Sequence, residues 1–433
     1  MTVYTLPGDS GKIFVYTTLY YLLKSQNKVV STMAFTGFAA TLLPNGKTTH
    51  KTLGLPVPLF ADSTSNIKIQ SKEAECLKKT DVFIWDEAPM APRYALEVMD
   101  HLLQDLMQNN LKFGDKIVIL GGDFRQLLPV QQNATRSETV NLSIKFSSLW
   151  QHFKIFSLTE NMRILRHEQE FANFLLDLGN GTLNDQFNNI EVLLRCVADL
   201  NANIVKDTYE EIFKHYQYRL TAKRAILSAR NVDVEELNKQ VVNLLDESTE
   251  RVYTSIDTTE TTNDIHDINK AILTEYLNTL NPAILPPHKL RLKKYTVIML
   301  IRNLNISEGL YNGTTLLILE LRNNLLKCEI LTGDKKGEIV FLNRITLYCE
   351  NVYSFVMKRR QFPIKIAFAM TINKSQGQTF DKIAIDLRKD IFNHGQLYVA
   401  FSRVRSWESF KIDLGQKRQN RLIKNYVYTE MFQ

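Results

Sequence analysis

The chain has 433 residues, of which 44% are hydrophobic and 23% charged, a length that favours two or more domains and a composition typical of globular proteins. No segment approaches the roughly 18 consecutive apolar residues of a membrane-spanning helix, so we expect no membrane contact. Lysine and arginine total 53 against 46 for aspartate and glutamate, and the net charge of +7 suits a polyanionic partner.

The cysteines and the first residues bear on the cellular compartment. Cys76, Cys196, Cys328 and Cys349 have no paired spacing, which predicts a reducing environment and no zinc site. Residues 1–10 lack the basic and then apolar layout of a signal peptide. We therefore expect an intracellular protein.

Residues 1–150 predict one α/β domain. Short apolar runs at 28–33, 81–85 and 116–120 are typical of buried strands, and helical patterns separate them. Such alternation predicts a parallel sheet with helices on both of its faces.

Residues 151–433 predict a second α/β domain, with apolar runs at 225–228 and 383–386 as candidate strands. From about 246 to 269 the chain is rich in Thr, Asp and Glu, which predicts an exposed loop. From about 295 to 355, β-branched and apolar residues alternate between turn signals. This pattern predicts a β-rich insertion in the form of a small β-barrel.

Two basic clusters flank this β-rich stretch. They consist of Lys289, Arg291, Lys293, Lys294 and Arg302 before it, and Lys358, Arg359, Arg360, Lys365 and Lys374 after it. A solvated basic face and a nucleic-acid contact are both open interpretations.

A glycine-containing loop at residues 6–13 (LPGDSGKI) lies between a short strand and a helical stretch. The backbone N–H groups of such a loop can bind phosphates, and Lys12 would reach the β- and γ-phosphates of a nucleotide. The phosphate-binding motif has glycine at the position of Leu6, and a chance glycine turn remains the alternative. The candidate nucleotide-binding residues are Gly8, Asp9, Ser10, Gly11, Lys12 and Ile13.

Two more strand ends carry polar side chains. Residues 81–87 (DVFIWDE) end in two acids, of which Asp86 would hold Mg²⁺ and Glu87 would orient and deprotonate an attacking water. Residues 120–129 (LGGDFRQLLP) offer Gln126 as a sensor of the γ-phosphate. A solvated strand end is the alternative for the acidic pair alone. The three motifs in this order are much more specific than any one of them.

The second domain offers two arginines that could reach across a cleft to a nucleotide. Arg163 lies in residues 161–163 (NMR) and Arg403 in residues 396–403 (QLYVAFSR). Each could stabilise the charge that develops during phosphoryl transfer. The alternative for each arginine alone is a surface ion pair, which is the more common role of an isolated arginine. The alternative function for the chain is a simple P-loop kinase, but this function would leave the whole second domain unexplained.

The most specific string in the chain is residues 362–379 (FPIKIAFAMTINKSQGQT). Together with residues 309–314 (GLYNGT) and the order of the other motifs, it resembles superfamily 1 DNA helicases of the petite-integration-frequency (PIF) type. The closer resemblance is to the helicase part of Helitron rolling-circle transposons, and it covers the chain from Leu6 to about Tyr428. It implies two RecA-like P-loop domains with parallel sheets and an SH3-like form for the β-barrel insertion.

The resemblance also implies cofactors, partners and residue roles. ATP and Mg²⁺ are the implied cofactors, single-stranded DNA and DNA junctions the partners, and the nucleus the location. The implied metal ligand is Asp86, and the implied catalytic residues are Glu87, Gln126, Arg163 and Arg403. Thr36, Gly37 and His50 fall in segments that resemble the strand-binding motif. The loop that couples strand binding to the ATP site is matched by Thr371, Lys374, Ser375 and Gln376.

Three positions depart from the family pattern, namely Leu6, Asp9 and Ile13. Asp9 would place a carboxylate beside phosphate oxygens, and Ile13 has no oxygen for Mg²⁺. We also expect a fragment without the family's upstream adenine-reading segment. One open function is a 5′-to-3′ ATP-dependent DNA helicase in repair, recombination, telomere maintenance or Helitron transposition. The other is a catalytically decayed, transposon-derived remnant that binds nucleic acid.

Overall fold

The structure is a computed structural model that describes residues 2–5, 10–131, 134–158, 160–199, 202–259, 268–350, 352–353 and 355–432. The chain divides into two compact units, one of Met1–Leu200 with Thr371–Gln433 and the other of Asn201–Met370. The domain boundary near residue 150 stays a prediction.

The described part of the chain contains both α-helices and β-strands. The α-helices are α1 (Lys12–Ser25), α2 (Gly37–Thr41), α3 (Thr49–Leu53), α4 (Lys72–Lys79), α5 (Arg93–Met107), α6 (Arg136–Leu142), α7 (Gln169–Asn180), α8 (Ile204–Lys214), α9 (Asn231–Asn243), α10 (Ile268–Thr279) and α11 (Gln396–Phe401). The strands are β1 (Thr2–Thr5), β2 (Val30–Ala34), β3 (Lys47–Thr48), β4 (Val82–Asp86), β5 (Ile117–Gly122), β6 (Lys154–Ser157), β7 (Asn189–Glu191), β8 (Arg224–Ser228), β9 (Arg251–Thr254), β10 (Ile256–Thr259), β11 (Lys289–Leu292), β12 (Val297–Leu300), β13 (Thr315–Leu321), β14 (Leu325–Ile330), β15 (Ile339–Asn343), β16 (Ile345–Cys349), β17 (Met357–Gln361), β18 (Ile364–Ile366), β19 (Ala369–Thr371), β20 (Lys382–Asp386), β21 (Phe410–Asp413) and β22 (Leu422–Lys424).

A six-stranded sheet forms the frame of the first unit, with its strands in the order β3-β2-β4-β5-β1-β6. All of its neighbouring strands run parallel. Parallel neighbours need long crossover connections, which helices usually supply. The predicted α/β fold with a parallel sheet is therefore confirmed.

Both faces of this sheet are covered, as β4 illustrates. Phe83 and Trp85 lie in the same apolar cluster as Leu96 and Leu103 of α5, whereas Ile84 lies in the cluster on the other face. Successive side chains of a strand point to opposite faces, so β4 is buried along its whole length. This burial is why the strand appears in the sequence as an unbroken apolar run.

The second unit contains several antiparallel sheets. A five-stranded sheet has the order β15-β14-β13-β12-β18, and a three-stranded sheet has the order β10-β17-β16. Leu292, Ile298, Leu316, Ile330 and Phe362 belong to one buried cluster in this unit. The insertion predicted at about 295–355 is β-rich, whereas its SH3-like barrel form stays a prediction.

The prediction of an exposed loop over about 246–269 is wrong for residues 251–259. These residues form β9 and β10, and Tyr253, Ser255 and Asp257 are buried. The polar composition of this segment predicted exposure, but Asp257 is buried because it has a charged partner. That partner lies 102 residues later in the chain, so the local sequence does not reveal it. Residues 260–267 of the predicted loop lie outside the described residues.

That partner is Arg359, at the centre of β17. Its Nε and Nη2 donate hydrogen bonds of 2.9 and 2.7 Å to the two carboxylate oxygens of Asp257, and both side chains are fully buried. The guanidinium also donates to the backbone carbonyls of Leu277, Leu280 and Pro286. A buried charge is stable only when such partners compensate it. Arg359, a member of the predicted basic clusters, therefore stabilises the fold.

We expect Arg359→Met to destabilise the protein by about 3–5 kcal/mol, because it leaves the Asp257 carboxylate buried without its partner. Arg360→Met is the matched control, since Arg360 is exposed one position later on the same strand, and it should cost less than about 0.5 kcal/mol. Denaturant unfolding of the two variants measures the difference. Equal destabilisation would contradict the structural role of Arg359.

Candidate active site

Eight of the predicted site residues line one cavity of about 300 Å³ in the first unit. The cavity lies where β4 and β5 end and α1 begins, which is the edge of a parallel sheet where nucleotides usually bind. The predicted residues that line it are Gly11, Lys12, Ile13, Asp86, Glu87, Gln126, Arg163 and Arg403.

Lys12 is positioned by the start of α1. Gly11 precedes the helix with a φ of 80°, in the left-handed region that glycine adopts without strain. Lys12 is buried, and its Nζ lies 3.4 Å from Glu87 Oε1 and 3.7 Å from Asp86 Oδ1. The amino group therefore stands between the two predicted acids at the start of the helix.

The remainder of the phosphate loop is only partly described. Leu6, Gly8 and Asp9 lie outside the described residues. Ser10 is buried, and Ile13 is partly buried against an apolar cluster that includes Tyr16 and Ala39. Ile13 thus lines the cavity while its side chain also contributes to packing.

Asp86 and Glu87 differ in backbone conformation. Asp86 ends β4, whereas Glu87 has φ 54° and ψ 34°, a left-handed conformation that is strained for a residue with a Cβ. Burial raises the pKa of Asp86 to about 6, partly opposed by the Lys12 ammonium and reinforced by the Glu87 carboxylate. Burial disfavours the charged form of a carboxyl group, and a nearby cation favours it. The position of Asp86 in the cavity therefore favours the binding of a cation beside it.

Gln376 connects the predicted coupling loop directly to this cluster. Its Nε2 donates a 2.7 Å hydrogen bond to Glu87 Oε2, and both side chains are buried. Within the described part of the chain, Oε1 of Gln376 and Oε1 of Gln126 accept no hydrogen bond. A buried amide oxygen without a protein partner costs about 1–3 kcal/mol, and a bound ligand or a water could supply the missing donor.

Both arginines contact Ser402, the residue that follows α11. Arg163 Nη1 donates to the carbonyl of Ser402 at 2.6 Å. Arg403 is almost completely buried and donates to the Val399 and Gln378 carbonyls and to the Ser402 hydroxyl.

Arg405 also lines the cavity, and the sequence reasoning missed it. Its signal was present, because it stands two residues after Arg403 in the string SRVR.

The predicted DNA-binding residues of the first domain, Thr36, Gly37 and His50, are not among the residues that line the cavity. Thr36 caps α2 by accepting a hydrogen bond from Ala39 N–H, and Gly37 is the first residue of that helix. His50 is partly buried against the ring of Phe35, and burial lowers its pKa. Their role in strand binding stays a prediction.

The coupling loop itself forms a short turn at the end of β19. Thr371 precedes it, Lys374 is exposed, and the buried Ser375 donates its hydroxyl proton to the Ile372 carbonyl. Gly377 has a φ of 80°, and a Cβ there would lie only 3.1 Å from the ring of Phe38. Of this loop, Gln376 is the predicted residue that reaches the acidic pair.

His394 and Tyr398 hold the loop that carries Gln126, and sequence reasoning missed both. His394 Nε2 donates to the Phe124 carbonyl at 2.8 Å, and its Nδ1 accepts from Tyr428 N–H. The Tyr398 hydroxyl donates to Asp123 Oδ2 at 2.9 Å. These contacts connect positions about 270 residues apart, which no local motif can reveal.

The described residues contain neither a metal-binding cluster nor a membrane span. Among them, no group of three or more His, Cys, Asp or Glu side chains could hold a metal ion. No helix in the same part of the chain has the length and apolar character needed to cross a bilayer.

Three family models match the chain. The model described as PIF1-like helicase matches residues 3–189, and the 2B domain of DNA helicase Pif1 matches residues 275–321. A model described as helicase matches residues 303–430. Together these matches extend over most of the chain.

Curated relatives are similar over most of this chain. The ATP-dependent DNA helicase Pif1 of Psychrobacter sp. is 26% identical over 94% of the chain, which spans 64% of that relative's length. The protein of the same name from Bdellovibrio bacteriovorus is 27% identical over 93% of the chain and 82% of its own length. Human PIF1 is 24% identical over 76% of the chain, which spans 45% of the human protein.

Solved structures are similar as well. The Pif1 helicase from Bacteroides in complex with ADP-AlF3 and ssDNA is 26% identical, with a TM-score of 0.71, and covers 96% of this chain and 90% of its own. The Pif1 helicase from Candida albicans shares the fold, with a TM-score of 0.69 over 100% of this chain and 94% of its own. These likenesses support two RecA-like domains.

We expect the free energy of unfolding to decline as the pH falls from about 6.5 towards 4. Burial lowers the pKa of His394 to about 4, so the unfolded chain binds more protons between the two values. His394 should contribute on the order of 3 kcal/mol to this decline, and His394→Gln should remove that contribution. His152→Gln, at an exposed histidine, controls for the loss of a histidine as such. An unchanged pH profile in His394→Gln would contradict the prediction.

Proposed function

We propose that this chain, a member of the PIF1-type helicases of superfamily 1, is an ATP-dependent DNA helicase that moves along single-stranded DNA and separates duplex at junctions. The observation that carries the proposal is the hydrogen bond from Gln376 to Glu87. Gln376 belongs to the predicted strand-coupling loop, and Glu87 is the predicted catalytic carboxylate. One bond therefore joins the part that would sense DNA to the part that would hydrolyse ATP.

In the proposed reaction, Lys12 binds the β- and γ-phosphates and Glu87 orients the attacking water and accepts its proton. Salt bridges to Asp86 and Glu87 already hold the Lys12 ammonium at the cavity. Gln126 senses the γ-phosphate, while Arg163 and Arg403 stabilise the charge that develops as the phosphoryl group leaves. Because Arg403 already donates three hydrogen bonds to protein groups, its action requires that some of them be exchanged.

The acidic end of the cavity fits Mg²⁺ in part. Asp86 is a buried carboxylate with a raised pKa, and a nearby divalent cation would favour its charged form. Mg²⁺ commonly takes one or two carboxylates together with substrate phosphates and several waters, so Asp86 suffices as the protein ligand. The bound ion would supply neutralisation of the phosphate charge. Ile13 offers no ligand, so we propose weak rather than absent binding of MgATP.

The proposed DNA contacts follow from side-chain chemistry. Hydroxyl, amide and ammonium groups suit the phosphodiester backbone, which carries little sequence information. Movement from 5′ to 3′, a nuclear location, and a task in repair, recombination, telomere maintenance or Helitron transposition are further parts of the proposal. The proposed contacts are Thr36, Gly37, His50, Thr371, Lys374, Ser375 and Gln376.

A second candidate function is a decayed remnant that binds nucleic acid without hydrolysing ATP. The observation that favours it is Ile13, which lines the cavity where the family has a hydroxyl residue. The intact polar cluster of Lys12, Asp86, Glu87 and Gln376 favours the helicase instead.

We expect the natural chain to displace a strand from a forked duplex with a 5′ tail, and Glu87→Gln to abolish displacement while leaving ATP affinity within about threefold. Glutamine there cannot take the proton from water, yet it can still accept the hydrogen bond from Gln376. Glu73→Gln, at an exposed acid of α4, is the matched control. The proposed function is wrong if the natural chain displaces no strand. The role of Glu87 is wrong if its variant keeps full activity.

Ile13→Thr should raise Mg²⁺-dependent ATP turnover by roughly tenfold, which corresponds to about 1.4 kcal/mol of transition-state stabilisation. Threonine has the same β-branched shape and adds a hydroxyl that can ligate Mg²⁺. Ile13→Val is the matched control, because it shortens the side chain without adding an oxygen. Equal turnover of the threonine and valine variants, measured with saturating single-stranded DNA, would show that this hydroxyl does not limit the site.

A further inference from the structure

The three-stranded sheet β10-β17-β16 separates its side chains sharply between two faces. On β17, Met357, Arg359 and Gln361 are buried, whereas Lys358 is partly buried and Arg360 is exposed. Alternate side chains of a strand point to opposite faces. The run of three basic residues therefore sends Arg359 inward and its two neighbours outward.

The strand register identifies what lies beside those two cations. Lys358 pairs with Thr258 on one side and Tyr348 on the other, and Arg360 pairs with Ile256 and Thr346. We call the surface formed by these residues the outer face. It consists of Ile256, Thr258, Thr346, Tyr348, Lys358 and Arg360.

The outer face is open and cationic. Ile256 is 63% exposed and Tyr348 is 45% exposed. The Lys358 ammonium lies 5.6 Å from the centre of the Tyr348 ring, which places both side chains on the same face. The six positions hold two cations, two threonine hydroxyls and an aromatic ring, but no carboxylate.

Buried contacts on the opposite face join two strands of this surface. The buried pair of Arg359 and Asp257 joins the central strand β17 to β10, with bonds of 2.9 and 2.7 Å. Arg359 also binds two carbonyls near the end of α10, at Leu277 and Leu280. Little ordering is therefore needed before the outer face can bind a partner.

We propose that the outer face binds single-stranded DNA, with Lys358 and Arg360 on adjacent phosphates and Tyr348 stacked against a base. The proposal rests on the proposed function and adds a DNA contact in the unit that does not contain the nucleotide cavity. Side chains two positions apart on a strand are separated by about 6.6 Å, which is close to the spacing of phosphates in an extended strand. Aromatic stacking with cationic contacts to the backbone is the usual mode of binding for single strands without sequence preference.

The test is the affinity of the full chain for a fluorescein-labelled oligothymidylate at several KCl concentrations. The double variant Lys358→Ala/Arg360→Ala should raise the Kd roughly tenfold at 0.1 M salt and reduce the slope of log Kd against log salt by about 1.4. Tyr348→Ala should raise the Kd at least about fivefold with little change in slope. Tyr348→Phe keeps the aromatic ring and should therefore bind with the affinity of the natural chain.

The matched control is Lys239→Ala/Lys336→Ala, which removes two exposed cations of the same unit that do not belong to the outer face. Equal thermal unfolding of all variants verifies that they fold. The proposal is overturned if the outer-face double variant keeps the affinity and slope of the natural chain, or if the control double variant loses as much. If the natural chain itself binds no oligothymidylate, the proposed function fails together with it.

Discussion

The first unit depends on a set of charges that are buried together at the ends of parallel strands. Lys12, Asp86 and Glu87 are all nearly inaccessible, and the two carboxylates would be strongly unfavourable without the ammonium between them. The backbone of Glu87 adopts a left-handed conformation in the same place. Strained residues and buried charges of this kind persist where the surrounding structure holds them, and a sheet covered on both faces provides such a support. Gln376 adds the amide that reaches Glu87 from the C-terminal part of the unit.

The parts of the fold that the sequence predicts are those with local causes. Strands β4 and β5 are apolar runs because helices cover both sides of their sheet, and their polar ends mark the cavity. Long-range pairs were beyond the reach of local patterns. Asp257 has the sequence context of a polar loop, and only the position of Arg359 beside it explains its burial. The contact of Gln376 with Glu87 joins residues 289 positions apart. The sequence shows that residues 358–360 are basic, but it does not show which of the three side chains is buried. That depends on the strand register, which only the structure provides.

The phosphate loop and the polar cluster favour different functions. Ile13 in the loop favours the decayed remnant, whereas the contacts of Lys12, Glu87 and Gln376 favour the helicase. Ile13 offers no oxygen to a metal, yet Mg²⁺ accepts water in such a position, so the proposed loss of a ligand would weaken MgATP binding without excluding it. The contacts of Lys12, Glu87 and Gln376 are specific in geometry. A surface that only binds DNA would not need the predicted catalytic carboxylate to be joined to the predicted DNA-coupling loop. The chain spans 64% of the Psychrobacter relative and 45% of the human one, and its activity therefore has to be measured on this chain itself.

The most direct measurement of the central claim is the rate of ATP hydrolysis by the purified chain with and without single-stranded DNA. If the Gln376–Glu87 bond couples strand binding to catalysis, DNA should increase turnover, and Gln376→Met should remove most of that increase while ATP still binds. Hydrolysis that is absent under both conditions, in a chain that retains DNA binding, would contradict the helicase and identify the decayed remnant. Hydrolysis that does not respond to DNA would contradict the coupling.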